Sequence, residues 1–136
     1  MDLEAPSRRH RAFPREAASA RAARDFVAAE LRSFGAPPPA LVDDFRLAVS
    51  ELAANAIEYG SDDHIEVSIT VDEHCWELEV VGAVAGTRRP PHADDWAVTA
   101  PDERSGRGLG IVRDLMDVTS VVEVAGRVAV RCGRHR

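Results

Sequence analysis

At Gly60 the hydrophobic period of this chain changes. Upstream, apolar residues recur every three or four positions: Ala23, Phe26, Val27, Leu31 and Phe34, then Leu41, Phe45, Ala48, Leu52 and Ala56. Downstream they alternate: Ile65, Val67, Ile69 and Val71, then Trp76, Leu78 and Val80. The first period puts a buried stripe on a helix, and the second puts a buried face on a strand. A chain with both must lay helices on a sheet. The spacing predicts a short strand over 8–14, helices over 15–34 and 41–59, and strands over 64–71 and 76–81 joined by a turn at "VDEH". Gly35 and "APPPA" end the first helix, and Gly60 takes the C-cap position of the second. A short helix over 108–116 follows. A hairpin of strands 118–124 and 127–132, turning at Ala125 and Gly126, completes one domain over 1–136. The expected architecture is a two-layer α/β sandwich, a mixed and mostly antiparallel sheet with helices packed on one face.

Composition narrows the function classes. A chain of 136 residues with 45% hydrophobic residues can build one core of ordinary size. The net charge of −6 argues against a dedicated nucleic-acid binder. The basic clusters Arg8, Arg9, Arg11 and Arg131, Arg134, Arg136 read as solvated tails. No apolar run approaches the roughly 20 residues that span a bilayer, and the start lacks the apolar region of a secretory signal. A cytoplasmic protein is expected, with no membrane and no direct nucleic-acid partner. Cys75 and Cys132 lie far apart and read as reduced, packed thiols. The five histidines show no metal-ligand spacing with each other or with the cysteines.

Two stretches carry chemistry. In "SELAANAIEYG", Glu51 and Asn55 are four apart and share a helical face, with Glu58 near the same line. Spacing alone allows an exposed polar stripe with a hydrogen bond between neighbouring turns. It also allows, with less weight from spacing alone, a carboxylate and an amide oxygen set together for a hard cation and a hydroxyl. Mg²⁺ takes oxygen ligands and leaves much of its shell to waters and phosphates, and a free Glu beside it can accept a proton. In "DERSGRGLGIVRDL", Gly106, Gly108 and Gly110 stand where a helix starts. Glycines there let backbone N–H groups approach a phosphate, or simply make a flexible loop. Residues 82–107 hold Gly82, Gly86, Pro90, Pro91 and Pro101 with little periodicity and read as a lid loop, because long loops in compact domains are usually functional or disordered.

The order of these parts is a Glu-x-x-x-Asn helix, two strands, a long loop and a Gly-rich helix start. It resembles the Bergerat-fold ATPases of gyrase, heat-shock chaperones and histidine kinases. Closer still, it is similar to the bacterial anti-sigma-factor serine kinases and their stand-alone actinobacterial relatives, over about residues 10–132. "LVDDFRLAVSELAANAIEYG" and "SGRGLGIVRDLMDVTSV" carry the resemblance. It implies that Glu51 is a general base and that Asn55 ligates Mg²⁺. It also implies that Gly106, Arg107, Gly108, Leu109 and Gly110 hold the phosphates of ATP. One segment departs. The family carries Asp-x-Gly-x-Gly after the second strand, its Asp accepting a hydrogen bond from the adenine amino group. Here the stretch is "VVGAVAG", with Gly82 in place of the Asp, Val84 in place of the first Gly, and Gly86 matching the second. Glu79 is three positions early and alternates to the face opposite Val80. The implied function is an ATP/Mg²⁺-binding regulator, a serine kinase acting on an anti-anti-sigma protein and sequestering a sigma factor. The alternative is a non-catalytic binding module of the same fold. A homodimer is open, since relatives often dimerise and no exposed apolar stripe in the sequence proves one.

Overall fold

A computed structural model describes residues 7–83 and 104–136, with the backbone alone at 104–107 and 124. Strand β1 covers Ser7–Pro14, helix α1 Ser19–Ser33, helix α2 Pro39–Tyr59, β2 His64–Val71, β3 Cys75–Ala83, α3 Arg104–Leu115, β4 Val118–Val124 and β5 Arg127–His135. The sheet order is β1-β2-β3-β5-β4, and all four pairings are antiparallel. β3 and β4 therefore run the same way, with β5 inserted between them. The α/β sandwich expected from the period change is the observed fold.

Alternation decides which face of the sheet is buried. Ile65, Val67, Ile69 and Val71 of β2, Leu78 and Val80 of β3, and Val130 and Cys132 of β5 form one apolar face. The helices bring Phe26, Val27 and Leu31, then Phe45, Val49 and Leu52, then Leu109 and Val112 to the same core. Burial pushes the Cys132 thiol far above its ordinary pKa, as the expected packed thiol requires. The opposite face is polar. Glu79 sits there between Arg8 and Arg131, and Arg127 pairs with Glu66 at 2.9 Å. The basic clusters are thus not solvated tails. All but Arg136 lie in β1 and β5, and Arg9–Glu30 and Arg134–Asp44 are further pairs. Among the described residues no helix is long and apolar enough to cross a membrane.

Several boundaries differ from the sequence reading. α1 starts at Ser19 rather than 15, because Ser19 Oγ and the N–H of Glu16 both bond Pro14 O, which folds 15–18 into a turn. α2 begins at Pro39, whose fixed φ and missing N–H suit the first helical position. The loop expected over 82–107 is shorter at both ends. Gly82 and Ala83 continue β3 opposite Val128 and Arg127, and α3 takes 104–107. Residues 84–103, with Gly86, lie outside the described residues. The β4–β5 turn is as read, with positive φ at Ala125 (54°) and Gly126 (78°), the geometry of a tight two-residue hairpin. At "VDEH", Asp72 Oδ1 accepts the N–H groups of His74 and Cys75, both at 2.7 Å. Those bonds hold its carboxyl below the usual carboxylate range, the His74 bond most.

Candidate functional site between α2, β3 and α3

α2 crosses the buried face of the sheet with its second half over β3 and β5. Small residues set the approach. A β-carbon on Gly82 would sit 3.7 Å from Ala56 Cβ, an ordinary contact, so α2 and β3 pack closely there. Gly60 closes the helix for a different reason than a left-handed cap. Its φ is −69° and ψ 152°, and a β-carbon would strike Ala56 O and come within 2.7 Å of Arg15 Cδ. Arg15 fills that space and does the capping. Its Nη1 donates to Ile57 O at 3.0 Å, its Nε donates to Asp62 O, and its own N–H bonds Asp63 O. These bonds satisfy a carbonyl of the last turn of α2 and tie that end of the helix to β1.

Between these elements lies a crevice lined by Leu52, Asn55, Ala56, Tyr59, Val80, Gly82, Val128 and Val130. Asn55 is 6% exposed. Its Nδ2 is buried and has no hydrogen-bond partner among the described residues. The exposed-stripe reading of Asn55 therefore fails, since the amide points into the protein. A buried amide N–H left unpaired costs about 1–3 kcal/mol, and in a folded core such a group calls for an explanation, an ordered water or a bound ligand among them. Glu51, one turn earlier, is partly exposed, whereas Glu58 is exposed and apart from the crevice. The Glu51 carboxylate rests on α3, where a β-carbon at Gly108 would collide with Oε2. The structure thus gathers Glu51, Asn55, Gly82 and Gly108 around the second half of α2. Leu109 points elsewhere, fully buried with Val112 in the core, so only its backbone is available to a ligand. Gly106 and Arg107 belong to the first turn of α3, where side chains are not described.

The two ends of the crevice fit the implied ligands differently. At the Asn55 end an amide and a carboxylate meet, a donor set suited to a hard cation carrying phosphates. At the Gly82 end the walls are aliphatic and no carboxylate lines them among the described residues; the whole crevice, Asn55 included, has a volume of about 20 Å³, roughly one water. Glu79 does not substitute for the missing acid. It faces the other side of the sheet, as its alternation required, and is held by Arg8 and Arg131. Sequence reasoning missed Tyr59, Val128 and Val130 as lining residues. The signals were there: Tyr59 is one turn beyond Asn55, and the valines alternate on the strand paired with β3.

A second polar group lies at the α2–β2 turn. Asp62, Asp63 and His64 place ligand atoms within 4.8 Å of one another, although histidine spacing gave no sign of it. His64 Nδ1 is 3.1 Å from Asp63 Oδ1, and this hydrogen bond lowers the Asp63 pKa. Asp62 also faces Arg127 at 3.8 Å. Internal pairing accounts for this exposed cluster.

Residues 13–132 match the model of the histidine kinase-like ATPase domain. The matched region runs from the end of β1 into β5 and includes every residue gathered at the crevice. No curated protein matches the chain. The chain belongs to the histidine kinase-like ATPase family.

Proposed function

We propose that this ATPase-family chain is an ATP- and Mg²⁺-dependent serine kinase of the anti-sigma-factor type, with an anti-anti-sigma protein as substrate and a sigma factor as binding partner. The observation that carries the nucleotide part is the buried Asn55 one turn from Glu51, whose unpartnered Nδ2 is a donor for a nucleotide oxygen or its water. Asn55 would offer its oxygen to Mg²⁺, and the backbone at the start of α3 would face phosphate. Bound MgATP supplies the phosphoryl group and the neutralising charge. Glu51 then acts as general base, accepting the proton of the substrate serine hydroxyl. A positioned base of this kind is worth roughly 10²–10⁴ in rate. The partners come from the sequence resemblance.

The aliphatic Gly82 end favours a second reading, a binding module that has given up nucleotide. Calorimetric titration of the whole chain with ATP, with and without Mg²⁺, separates the two. The kinase reading expects binding that tightens with Mg²⁺, followed by label transfer from γ-labelled ATP to purified anti-anti-sigma proteins. No heat under either condition would overturn it in favour of the module.

A further inference from the structure

β1 is an edge of the sheet, and among the described residues no strand pairs with its outer side. Which of its backbone groups face outward follows from Pro14. The N–H of Arg15 donates to Asp63 O, one step beyond the Pro14–His64 pair of the β1–β2 register. Pro14 has no N–H, and its carbonyl accepts from Glu16 N–H and Ser19 Oγ. Backbone direction alternates along an antiparallel strand. Phe13, Arg11 and Arg9 therefore bond β2, while Ala12, His10 and Arg8 turn their N–H and C=O groups away from the sheet. Such a row is a template for another strand. A groove of about 540 Å³ lies beside it, between β1 and α1. Phe26 is its buried floor, and the exposed Ala22 and Ala29 keep the helix wall low, with Asp25 and Glu30 on the same wall. β1 itself, "SRRHRAFP", carries three arginines and no acid. Their charge is only partly met. Arg9 pairs with Glu30 at 3.4 Å. Arg8 lies 3.5 Å from Glu79, which Arg131 holds more closely at 2.5 Å. Arg11 lies over the rings of Phe13 and Phe26, and among the described residues no carboxylate pairs with it.

We propose that the free edge of β1 takes an acidic, extended segment of a partner protein as a further strand of the sheet. Main-chain bonds to Arg8, His10 and Ala12 supply the affinity, and alternate side chains supply the selectivity. Acidic side chains of the added strand fall beside Arg8 and His10 on the polar face. Small apolar ones fall over Phe26, between Ala22 and Ala29. A second copy of this chain is a poor occupant. Pairing two β1 strands antiparallel about Arg9, His10 or Arg11 sets Arg9 on Arg9, Arg9 on Arg11 or Arg11 on Arg11, and like charges directly opposite are destabilising. The docking edge uses no residue of the crevice between α2, β3 and α3.

The probe is an acetylated and amidated peptide, Thr-Glu-Val-Glu-Val-Glu-Thr, titrated into the full chain, with lysine in place of each glutamate as its control. The glutamate peptide should bind about ten-fold tighter than the lysine peptide, the sum of several cross-strand charge pairs. At saturation it should slow hydrogen exchange at the N–H groups of Arg8, His10 and Ala12. Ala12→Pro removes one outward N–H and spares the β1–β2 ladder, because an edge strand tolerates proline where that group faces solvent. The variant should keep the melting temperature of the parent and bind the glutamate peptide about ten-fold more weakly. Equal binding of the two peptides, binding of neither, or undiminished binding by Ala12→Pro would overturn the proposal. So would slow exchange of the three N–H groups in the peptide-free chain. If that protection rises with protein concentration a second copy holds the edge, and if it does not, another part of the same chain does. Should Ala12→Pro fail to fold, the charge preference and the exchange of the wild type decide alone.

Discussion

At one end of the crevice, α2 buries an amide whose Nδ2 finds no partner among the described residues; at the other, Val80, Val128 and Val130 pack around a glycine, and the crevice as a whole leaves room for about one water. The first end is held in a state that costs stability. The second is already satisfied, because aliphatic walls in contact need nothing further. A ligand therefore has most to offer at Asn55 and little at Gly82. The comparison teaches that the two halves of a nucleotide site are energetically separable. In the proposed site, metal and phosphate recognition would rest on α2 and α3 and base recognition on the end of β3, and the described residues place polar groups at only one of them.

Glu51→Gln tests the polar end most severely. The amide keeps shape and hydrogen bonding but takes no proton. Phosphotransfer should fall by roughly 10²–10⁴ while calorimetric MgATP affinity stays near that of the wild type. Wild-type turnover in the variant would remove Glu51 from the base role, and would leave its contact with Gly108 a packing feature alone.

Asn55→Leu sharpens the comparison by making the polar end resemble the apolar one. Leucine has the branched shape of asparagine, with bulkier methyl groups and no group to satisfy. Unfolding by denaturant should show the variant more stable by about 1 kcal/mol. The tightening of ATP binding by Mg²⁺, an interaction of a charged ion with the amide oxygen, should be lost, weakening MgATP by roughly 10–100-fold. A variant that is less stable, with its Mg²⁺ dependence intact, would show Asn55 to be an ordinary core amide.

Much of this was readable in the sequence because it depends on local period. β2 and β4 fall on the residues their alternation marked, and the outward turn of Glu79 followed from counting by two. What period cannot carry is the relation between elements. The start of α3 was missed because three glycines in five residues argue for a loop, and packing of Leu109 and Val112 overrides that propensity. Gly60 takes the C-cap position as read, but the reason for a glycine there is the side chain of Arg15, 45 positions away in the chain and beside it in the fold. The contact of Gly108 with Glu51 belongs to neither helix alone. Asn55 was half legible: the stripe through Ala48 and Leu52 reaches it and buries it, but spacing could not say that its Nδ2 would be left unpaired.

Gly82→Asp tests the apolar end, and its effect is the smallest because two terms oppose. The position accepts a side chain. Its φ lies outside the left-handed region, and the new β-carbon meets Ala56 Cβ at 3.7 Å. The carboxylate, however, enters a wall of Val80, Val128 and Val130. Desolvation raises its pKa in the folded state above the value near 4 of the unfolded chain. The folded variant then holds more protons than the unfolded one between those two values. Its stability relative to the parent should therefore be unchanged below about pH 4 and should fall as pH rises, levelling off above the folded pKa. Adenine presents an amino group that can donate to the carboxylate, and a charge-assisted bond is worth about 1.5–3 kcal/mol. Less the desolvation already described, a gain of about ten-fold in ATP affinity remains, with none for GTP, because guanine presents a carbonyl at the same place. The parent should bind ATP and GTP alike, weakly, through metal and phosphate. Paired titrations of both nucleotides into both proteins at pH 7, with denaturant unfolding across pH 3–8, read the two terms separately. If the variant shows the pH-dependent loss of stability and still prefers neither nucleotide, its carboxylate is in the wall but no base comes to it. The crevice beside Gly82 would then be closed to nucleotide altogether.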